Sequence, residues 1–537
     1  MVINSKIPEG CVPDVTVHQY LFNEDSKSID WDKPCFIDAE DDSQTLSYGD
    51  FDNLIKRFAT GLHHCFPEFA LGDVVAIYSP NELYYPAVVH GIVYAGGAIA
   101  SFDHSSDVNL AVECLQTVGA KIVIAHSETL DRAIEAAAMV GIPRRHIFLL
   151  DQNQVDGIKS VHSAMWTHQE LAAPREMTKA ELETVPSYFY YTSGTTGKKK
   201  AVAITQKNLI SWLHNNKDWH PFETRALSHS ELHHGGGLLF TMHTYLKNRY
   251  SVFMLKRFTF EKYFIAIEKN KINTISIQPW IAATIAKDDT LLKLHNFSTV
   301  RVGYCSGSPT SKRLCQLFLK KLNILLVNMY GMTETMAPFE TDFERSSQGY
   351  VGSLGQGFSC KLIDDDGKEV GCNEIGELCL KEPTKKLGYY NNAEANAAAF
   401  DVDGFFHTGD LFCVNEYGNF THIDRINDVI KYRYKKITPQ EIEVILMMHP
   451  LVVNCAVVGY HCDEQNEWLI RAFVTLKEHD REIEQVKQEI IDITKENLPD
   501  IKQLRGGLFV LDELPKTNTG KINRRALRQY EHAVPAF

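Results

Sequence analysis

Short apolar runs alternate with stretches of helical periodicity along most of the chain. The runs are "DVVAIYS" (73–79), "KIVIAH" (121–126), "HIFLLD" (146–151), "SVFML" (251–255), "TISIQP" (274–279), "TVRVGY" (299–304) and "NILLVNMYG" (323–331). Continuous β-branched runs of this length are typical of strands that are buried on both faces of a parallel sheet. We therefore predict α/β architecture with parallel-rich sheets sandwiched by helices, in which ligands bind beyond the carboxyl ends of the strands.

The longest nearly uncharged run, "YPAVVHGIVYAGGAIASF" (85–102), has two interpretations. A membrane span requires about 20 predominantly apolar residues, and this run contains Pro86, His90 and the pair Gly96-Gly97. We predict instead a buried helix that leads into a strand.

The pattern changes near Asp424, after two turn-rich segments. "TPQE" (438–441) predicts a helix start, with Thr438 as N-cap, proline at the first helical position and Glu441 closing a capping box. With the strand-like runs "CAVVGY" and "LIRAFVTL", this region predicts a small, mobile α+β domain. We therefore divide the chain into a large N-terminal domain, 1–424, and a C-terminal lid domain, 425–537.

The run "REIEQVKQEIIDITKENL" (481–498) has helical periodicity. It places Ile483, Val486, Ile490 and Ile493 on one face of a helix. The sequence therefore predicts an amphipathic helix in the C-terminal domain.

The composition of the chain excludes some classes of binding partner. The chain has 537 residues, 44% hydrophobic and 23% charged, with a formal net charge of −13. An acidic chain is a poor default ligand for polyanions, so we expect no binding to nucleic acid or to an anionic membrane surface. Because the run 85–102 is predicted to be a buried helix and strand, we also expect no integral membrane segment. The twelve cysteines contain no CxxC, and "MVINSKIPEG" has no apolar leader, which favours free thiols and a cytoplasmic location.

The stretch "YYTSGTTGKKKA" (190–201) combines small residues with three lysines. It is either a solvent loop or a phosphate cradle, in which backbone N–H groups and hydroxyls approach oxygens closely and lysines offset their charge. A Walker A loop is excluded, because two residues separate Gly194 from Gly197 where four are required. The stretch alone leaves both interpretations open.

Eight further motifs accompany this stretch. In chain order they are "HHGGG" (233–237), "CSGSPTS" (305–311), "NMYGMTET" (328–335), "GELCLK" (376–381), "GYYNN" (388–392), "DGFFHTGD" (403–410), "IDRINDVIKY" (423–432) and "PKTNTGKINRR" (515–525). With "SGTTG", the set resembles the signature motifs of the adenylate-forming superfamily. That superfamily includes acyl-CoA synthetases, 4-coumarate–CoA ligases, beetle luciferases and peptide-synthetase adenylation domains, and the resemblance covers essentially the whole chain.

The resemblance implies a two-step reaction with ATP, Mg²⁺ and coenzyme A. A carboxylate attacks the α-phosphate of ATP and expels pyrophosphate, and a thiol then attacks the acyl-adenylate. The first step brings two anions together, so it needs charge neutralisation and alignment. We expect a monomer or a homodimer.

The resemblance also assigns groups to the phosphates. The β- and γ-phosphates would be held by Ser193, Gly194, Thr195, Thr196, Gly197 and Lys200. Thr333 would donate its hydroxyl to a phosphate oxygen, and Glu334 would bind Mg²⁺, which prefers oxygen ligands. Lys521 would swing in with the C-terminal domain and bridge the carboxylate and the α-phosphate.

The resemblance also implies which residues would bind the adenine and the ribose of ATP. Tyr330 would stack beside the adenine, Asp410 would accept hydrogen bonds from the ribose hydroxyls, and Arg425 would support that end. Further nucleotide contacts are implied for Ser308, Pro309 and Asn328.

The acyl pocket and the second step complete the implied site. The pocket would be lined by His234, Gly236, Ser306, Gly307 and Ala337. Gly236 stands where luciferases carry a bulky aromatic residue, so we predict an aromatic or medium-chain acid. Lys431 and Arg433 match positions that serve thioester formation, and Arg257 would lie near the coenzyme phosphates.

Tyr434 is the main departure, because the family has glycine on the path of the pantetheine arm. Three functions therefore stay open: an acyl-CoA synthetase, which we favour; an adenylating enzyme with another acceptor, such as a luciferase-like oxygenase; and a non-catalytic nucleotide- or acyl-binding homologue. Taken singly, Tyr330 could be a core residue, Asp410 a turn residue and Lys521 a solvated lysine. Their joint occupation of motif positions favours the enzyme.

Overall fold

The computed structural model describes residues 2–7, 10–22, 29–151, 155, 157–193, 199–215, 220, 222–433, 435–462, 467–517 and 521–530. Four predicted phosphate-loop residues, 194–197, lie outside the described residues, as does Tyr434. Ser193 is described through its backbone.

Strands occur along the whole length of the described chain. In chain order they are β1 (Ile3–Asn4), β2 (Pro34–Asp38), β3 (Thr45–Ser47), β4 (Val74–Tyr78), β5 (Ala98–Ser101), β6 (Ile122–Ala125), β7 (Ile147–Leu149), β8 (Pro186–Ser193), β9 (Lys199–Thr205), β10 (Arg225–Ser228), β11 (Ser251–Met254), β12 (Thr274–Ile277), β13 (Val302–Cys305), β14 (Leu325–Asn328), β15 (Phe339–Glu340), β16 (Gly352–Leu354), β17 (Ser359–Ile363), β18 (Ile375–Lys381), β19 (Phe406–Val414), β20 (Asn419–Arg425), β21 (Ile430–Tyr432), β22 (Lys435–Ile437), β23 (Val452–Cys462), β24 (Glu467–Leu476) and β25 (Leu508–Val510).

The α-helices follow in the same order. They are α1 (Val17–Phe22), α2 (Tyr48–Cys65), α3 (Tyr85–Tyr94), α4 (Val108–Val118), α5 (Leu130–Met139), α6 (Val161–Ala164), α7 (Lys179–Thr184), α8 (Gln206–Asn215), α9 (Tyr245–Lys247), α10 (Phe260–Lys269), α11 (Pro279–Lys287), α12 (Asp289–Leu294), α13 (Lys312–Leu322), α14 (Phe343–Ser347), α15 (Ala393–Ala399), α16 (Pro439–Leu446), α17 (Ile483–Asn497) and α18 (Arg524–Arg528). A π-helix, Gly237–Thr244, directly precedes α9.

Two parallel-rich sheets form the larger part of the molecule. The first has the order β7-β6-β4-β5-β8-β9, and the second β14-β13-β12-β10-β11-β2-β3. Pairing is parallel except for β8 with β9 and β2 with β3 at the edges. The prediction that the apolar runs form parallel strands is confirmed.

A core of helices and strand faces lies between these sheets. Residues of α2, α3 and α8 pack there with inward-facing residues of both sheets. The predicted sequence of buried helix and strand in 85–102 is confirmed as α3 and β5. Gly91 permits close contact of α3 with α2, because a Cβ there would lie 2.7 Å from the Phe58 ring.

A third sheet is antiparallel, with the order β1-β17-β18-β19-β20-β16-β15. The turn-rich segments of the sequence form its β19 and β20, which pair with Asp410 opposite Arg425. The sequence indicated the turns in this region but did not predict the sheet.

The C-terminal elements have cores of their own. β23, β24 and β25 form a sheet against which α16 and α17 pack, while β21 and β22 form a hairpin. The predicted capping box is wrong: the Thr438 hydroxyl lacks a hydrogen-bond partner among the described residues, and the Glu441 carboxylate pairs with Lys502 instead.

The face of α17 also differs from prediction. Val486 and Ile490 are buried, but Ile483 is 44% exposed. The buried residues follow the spacing i, i+4, i+8, which ends on Thr494, so Ile493 lies beside this face and is partly exposed.

In the part of the chain that the structure describes, no helix combines the length and the apolar character that crossing a bilayer requires.

Candidate active site

The polar motifs meet at the carboxyl ends of the two parallel sheets. β8 ends at Ser193, β10 at Ser228, β13 at Cys305 and β14 at Asn328, and each is followed by one of the motif loops. Strands of a parallel sheet all end at the same edge, so segments distant in sequence become neighbours there.

Tyr330 and Asp410 are joined by a hydrogen bond. The Tyr330 hydroxyl donates to Oδ2 of Asp410 at 2.7 Å, and the ring packs against Phe339, Phe412 and His422. Burial, together with the neighbouring carboxylate, raises the pKa of Tyr330 well above its usual value. The phenol therefore stays protonated and acts as a donor to Asp410.

An arginine and a histidine flank the Asp410 carboxylate. Arg425 Nε lies 3.5 Å from its Oδ1, and His422 Nε2 lies 3.9 Å from the same atom. Burial by itself would raise the pKa of Asp410, but the hydrogen bond and charge of His422, followed by Arg425 and Tyr330, lower it overall. Asp410 is thus an ionised acceptor at neutral pH.

The Glu377 carboxylate holds the loop before Asp410. Glu377 accepts the backbone N–H of Gly409 at 3.0 Å through Oε1, while its Oε2 lies 3.0 Å from His407 Nδ1. Both side chains lie inside motifs, "GELCLK" and "DGFFHTGD", but the sequence predicted no role for either. The sequence signal that could have revealed this pair was a carboxylate in one predicted strand and a histidine in the next.

Glu334 lies in a tight turn with a tyrosine and a lysine beside it. The turn is closed by Met332 N–H donating to the Met336 carbonyl at 2.9 Å. The Tyr389 hydroxyl donates to Glu334 Oε1 at 3.0 Å, and Lys200 Nζ lies 4.8 Å from the Tyr389 ring centroid. Tyr389 was missed by sequence reasoning, although it lies in the motif "GYYNN".

Lys521 is brought to this same cleft by the C-terminal elements. Its carbonyl accepts the Thr517 N–H at 2.7 Å, and the neighbouring residues Lys516 and Ile522 form an antiparallel bridge. Its ammonium interacts electrostatically with Arg425, Asp410 and Glu334. Lys521 is exposed to solvent. The protein atoms close to its ammonium nevertheless exclude part of the surrounding water, and this desolvation lowers its pKa.

Contacts between the two parts of the chain support this placement. Lys516 Nζ lies 4.4 Å from the ring centroid of Trp280 in α11. At the other end of α11, Lys287 Nζ donates to the Val452 carbonyl at 2.6 Å.

Of the predicted acyl-pocket residues, His234 and Gly236 lie at the start of the helical segment that leads into the π-helix, close to Thr333. A Cβ at Gly235 would lie 3.8 Å from the Thr333 hydroxyl, whereas one at Gly236 would meet no atom within 4 Å. Gly236 is therefore bordered by open space. Desolvation lowers the pKa of His234 to about 4, with a smaller effect from Lys521, so the imidazole is neutral.

Other predicted positions are distributed around this centre. Ser306, Gly307, Ser308 and Pro309 are exposed in the loop after β13. The Ala337 carbonyl accepts the indole N–H of Trp212 at 3.2 Å.

The Asn328 side chain is directed elsewhere: its amide donates to the Tyr350 carbonyl at 3.5 Å, and its backbone N–H donates to Ser346 at 2.8 Å.

The residues predicted for the second step are not gathered at this centre. Lys431 and Arg433 are exposed at the β21–β22 hairpin, and Arg433 has a φ of 46°. Among the described residues, no hydrogen bond or ion pair joins Lys431 to the nucleotide positions. Arg257 forms an ion pair with Glu128 at the edge of a cavity of about 310 Å³.

A group of three ligand-type side chains was also missed. Glu231 Oε2 lies 3.8 Å from His233 Nδ1 and 4.0 Å from His104 Nδ1. Burial, with Asp103 nearby, raises the pKa of Glu231 to about 7. Only the fold brings position 104 next to 231, so the sequence carried no signal for this group.

Most of the chain matches two family models, and several known proteins are similar to it. A model described as AMP-binding enzyme matches residues 24–390, and one described as AMP-binding enzyme C-terminal domain matches residues 441–521. The chain is 30% identical over 532 residues to an acyl-CoA ligase, azaF, of Aspergillus niger, covering 96% of this chain and 98% of that one.

A second relative from Aspergillus niger is a phenylacetyl-CoA ligase, epaB, which is 30% identical over 537 residues and covers 96% and 97% of the two chains. The fold is similar to the ATP-bound crystal structure of MatB from Rhodopseudomonas palustris. The TM-score is 0.83 at 23% identity, covering 96% of this chain and 99% of that one.

Proposed function

The chain belongs to the family of AMP-binding enzymes, and from this premise we propose how it works as an AMP-forming acid–thiol ligase: it activates an aromatic or medium-chain carboxylic acid as the acyl-adenylate and passes the acyl group to coenzyme A. One observation carries the proposal. Lys521 of the C-terminal part acts electrostatically on Asp410 and Glu334 of the larger part, so the groups that both lobes would supply share one cleft.

Each side chain has a role that its surroundings suit. Asp410, ionised and fixed by Tyr330, would accept the ribose hydroxyls, with Arg425 beside it. Lys521 would place its ammonium between the acid and the α-phosphate, where charge builds on oxygen in the transition state.

Mg²⁺ is the metal that this chemistry requires, and the donor set fits it. Glu334 offers a carboxylate whose second oxygen is not used by Tyr389, and Thr333 adds a neighbouring hydroxyl. Hard oxygen donors of this kind suit Mg²⁺, which usually keeps several waters and binds phosphate oxygens at the same time. When bound, the ion would neutralise phosphate charge. The loop from Ser193 to Gly197 and Lys200 would hold the β- and γ-phosphates.

The acid would enter beside His234, Gly236 and Ala337. The open space at Gly236 supports an acid bulkier than acetate. In the second step Lys431 and Arg433 would serve the thiol transfer, and Arg257 would contact the coenzyme phosphates from the edge of its cavity.

The test is mass spectrometry of the products formed from ATP, Mg²⁺, coenzyme A and a mixed carboxylic-acid library. We expect one acyl-CoA, or a related series, together with AMP. Acid-dependent pyrophosphate release without any acyl-CoA would instead assign another acceptor. No acid-dependent release at all would show a non-catalytic homologue.

A further inference from the structure

The structure contains two groups of three side chains with metal-ligand chemistry, and they differ in how their polar atoms are satisfied. One consists of Glu377, Cys379 and His407, and the other of His104, Glu231 and His233. The atoms within each group lie within 4.8 Å of one another.

The first group is satisfied without an ion. His407 Nδ1 lies 3.0 Å from Glu377 Oε2, and the other Glu377 oxygen accepts the Gly409 N–H at 3.0 Å. Its geometry is that of a hydrogen-bonded network that holds the segment before Asp410.

The second group is not satisfied in this way. His104 Nδ1, Glu231 Oε2 and His233 Nε2 are buried atoms without a hydrogen-bond partner among the described residues. His233 is 6% exposed, so solvent does not replace the missing partner. Unsatisfied buried polar atoms are costly, and two of these atoms, His104 Nδ1 and Glu231 Oε2, lie 4.0 Å apart, an arrangement that suits two ligands of one ion.

The spacing of the second group suits a metal ion better than direct hydrogen bonds. Glu231 Oε2 lies 3.8 Å from His233 Nδ1 and 4.0 Å from His104 Nδ1, both beyond hydrogen-bond range. Two ligands about 2.1 Å from a tetrahedral ion lie roughly 3.4 Å apart, so shifts of about 0.5 Å would bring each histidine nitrogen to that distance from Glu231. The three ligand atoms all lie within 4.8 Å of one another, so the remaining pair would have to approach by at most about 1.4 Å.

The nearby charges are balanced. Asp103 and Arg257 act electrostatically on Glu231 with opposite signs, and Lys199 acts on His233. We propose that His104, Glu231 and His233 bind a divalent transition-metal ion of the Zn²⁺ type, at a site distinct from the magnesium position at Glu334.

The ligand set and its place define the site further. Two histidines and one carboxylate leave a fourth position open in a tetrahedral zinc site. His233 directly precedes His234, whose ring centroid lies 4.1 Å from its own, so the ion would lie next to the acyl pocket. Loading of the site should therefore alter acid or thiol turnover, but its existence does not depend on the proposed reaction.

Co²⁺ titration of the full-length protein, after removal of metals by a chelator, tests the proposal. We expect one Co²⁺ per chain with visible d–d absorption of a tetrahedral or five-coordinate site, displaced by Zn²⁺. Glu231→Gln and His104→Asn should each weaken binding by more than about 100-fold, the upper end of what loss of an outer-shell partner costs. Circular dichroism would show that both variants are folded.

Glu377→Gln is the matched control, because it makes the same change in the satisfied group; it should leave the Co²⁺ affinity unchanged. The result that overturns the proposal is uptake that is absent or is equal in the wild-type and Glu231→Gln proteins. A near-ultraviolet thiolate-to-cobalt band that survives Glu231→Gln would assign the ion to cysteines and would also overturn it.

Discussion

The hydroxyl of Tyr330 donates a hydrogen bond of 2.7 Å to the carboxylate of Asp410, 80 residues further along the chain. The bond joins the loop after β14 to the strand β19 and leaves one carboxylate oxygen, Oδ1, facing Arg425 at 3.5 Å. Tyr330 therefore orients the group that we propose to bind ribose.

Tyr330→Phe should weaken ATP binding while leaving the chemistry nearly intact. Removing a hydrogen bond to a charged acceptor costs about 1.5–3 kcal/mol, which corresponds to a roughly 10–150-fold rise in the KM for ATP. Because Asp410, in its proposed role, would contact ATP equally before and during the reaction, kcat at saturating ATP should change little. ATP–pyrophosphate exchange measures both constants. Tyr417→Phe, at a tyrosine that is 77% exposed, is the control, and an unchanged KM in Tyr330→Phe would remove the orienting role.

Lys521→Ala should abolish most adenylation but spare the second step. Loss of a charged transition-state contact costs roughly 10²–10³-fold in rate. ATP–pyrophosphate exchange should fall by this amount, whereas conversion of supplied acyl-adenylate to acyl-CoA should persist. Lys495→Ala, at an exposed lysine of α17, should leave both steps unchanged. Full exchange activity in Lys521→Ala would contradict the proposed function.

The pH dependence of adenylation follows from the lowered pKa of Lys521. Desolvation lowers it from 10.5, so the ammonium loses its proton at a lower pH than an ordinary lysine would. Adenylation should therefore be full on the acid side of that pKa and decline as the pH rises through it. Lys521→Arg keeps its charge, so its decline should move to higher pH. Identical alkaline profiles for the two proteins would mean that another group titrates.

The sequence predicted those features that depend on residues close together in the chain. The run 85–102 forms α3 and β5 as predicted. Every residue of both elements is buried, so a continuous apolar run is enough to predict them. The capping box at Thr438 failed for a tertiary reason: Lys502, 61 residues away, takes the Glu441 carboxylate. Propensity is a weak guide where such a partner competes.

In the candidate active site, too, the sequence predicted individual motif residues but not the contacts between distant segments. Motif positions predicted Asp410, Glu334 and Lys521, which interact electrostatically in the structure, but not Tyr389, whose hydroxyl contacts Glu334 from 55 positions away. The spacing of residues in the sequence could not reveal that Glu231 lies near His104. The two side chains approach each other only when β5 and β10 have joined their sheets.

Glu334→Gln should raise the Mg²⁺ concentration that half-saturates adenylation by about tenfold, because an amide oxygen lacks the charge that a hard cation prefers. Tyr389→Phe should produce a smaller change in the same constant, as it removes the donor that holds Oε1 at 3.0 Å. Initial rates at fixed ATP over a Mg²⁺ series measure both. Glu344→Gln, at an exposed carboxylate, should behave as wild type. Equal Mg²⁺ dependence in Glu334→Gln would move the metal position elsewhere.

Tyr434→Gly should accelerate transfer to coenzyme A without altering adenylation. The family resemblance implies a glycine at position 434, and the preceding residue, Arg433, has a left-handed backbone with a φ of 46°. Single-turnover conversion of preformed acyl-adenylate measures the step, and Tyr434→Phe keeps the bulk as the matched control. Equal transfer rates in the Gly, Phe and wild-type proteins would show that the pantetheine path does not pass residue 434.

Gly236 offers a test of the acyl pocket that separates specificity from folding. Its φ of −64° and ψ of −42° are helical, and a Cβ would meet no atom within 4 Å, so Gly236→Ala should be as stable as wild type or slightly more stable. The adjacent Gly237→Ala is the opposite case, because its Cβ would lie 2.5 Å from the Glu231 carbonyl oxygen; we expect a lowered Tm.

Gly236→Phe should fill the open space and shift the preferred acids towards smaller ones, raising the KM for the largest acids by about tenfold or more while ATP binding is preserved. Kinetics across the acid series, with Tm values for all three variants, would show it. If Gly236→Phe were folded and kept the wild-type order of acids, residue 236 would lie outside the pocket, and the preference for an aromatic or medium-chain acid would lose its structural basis.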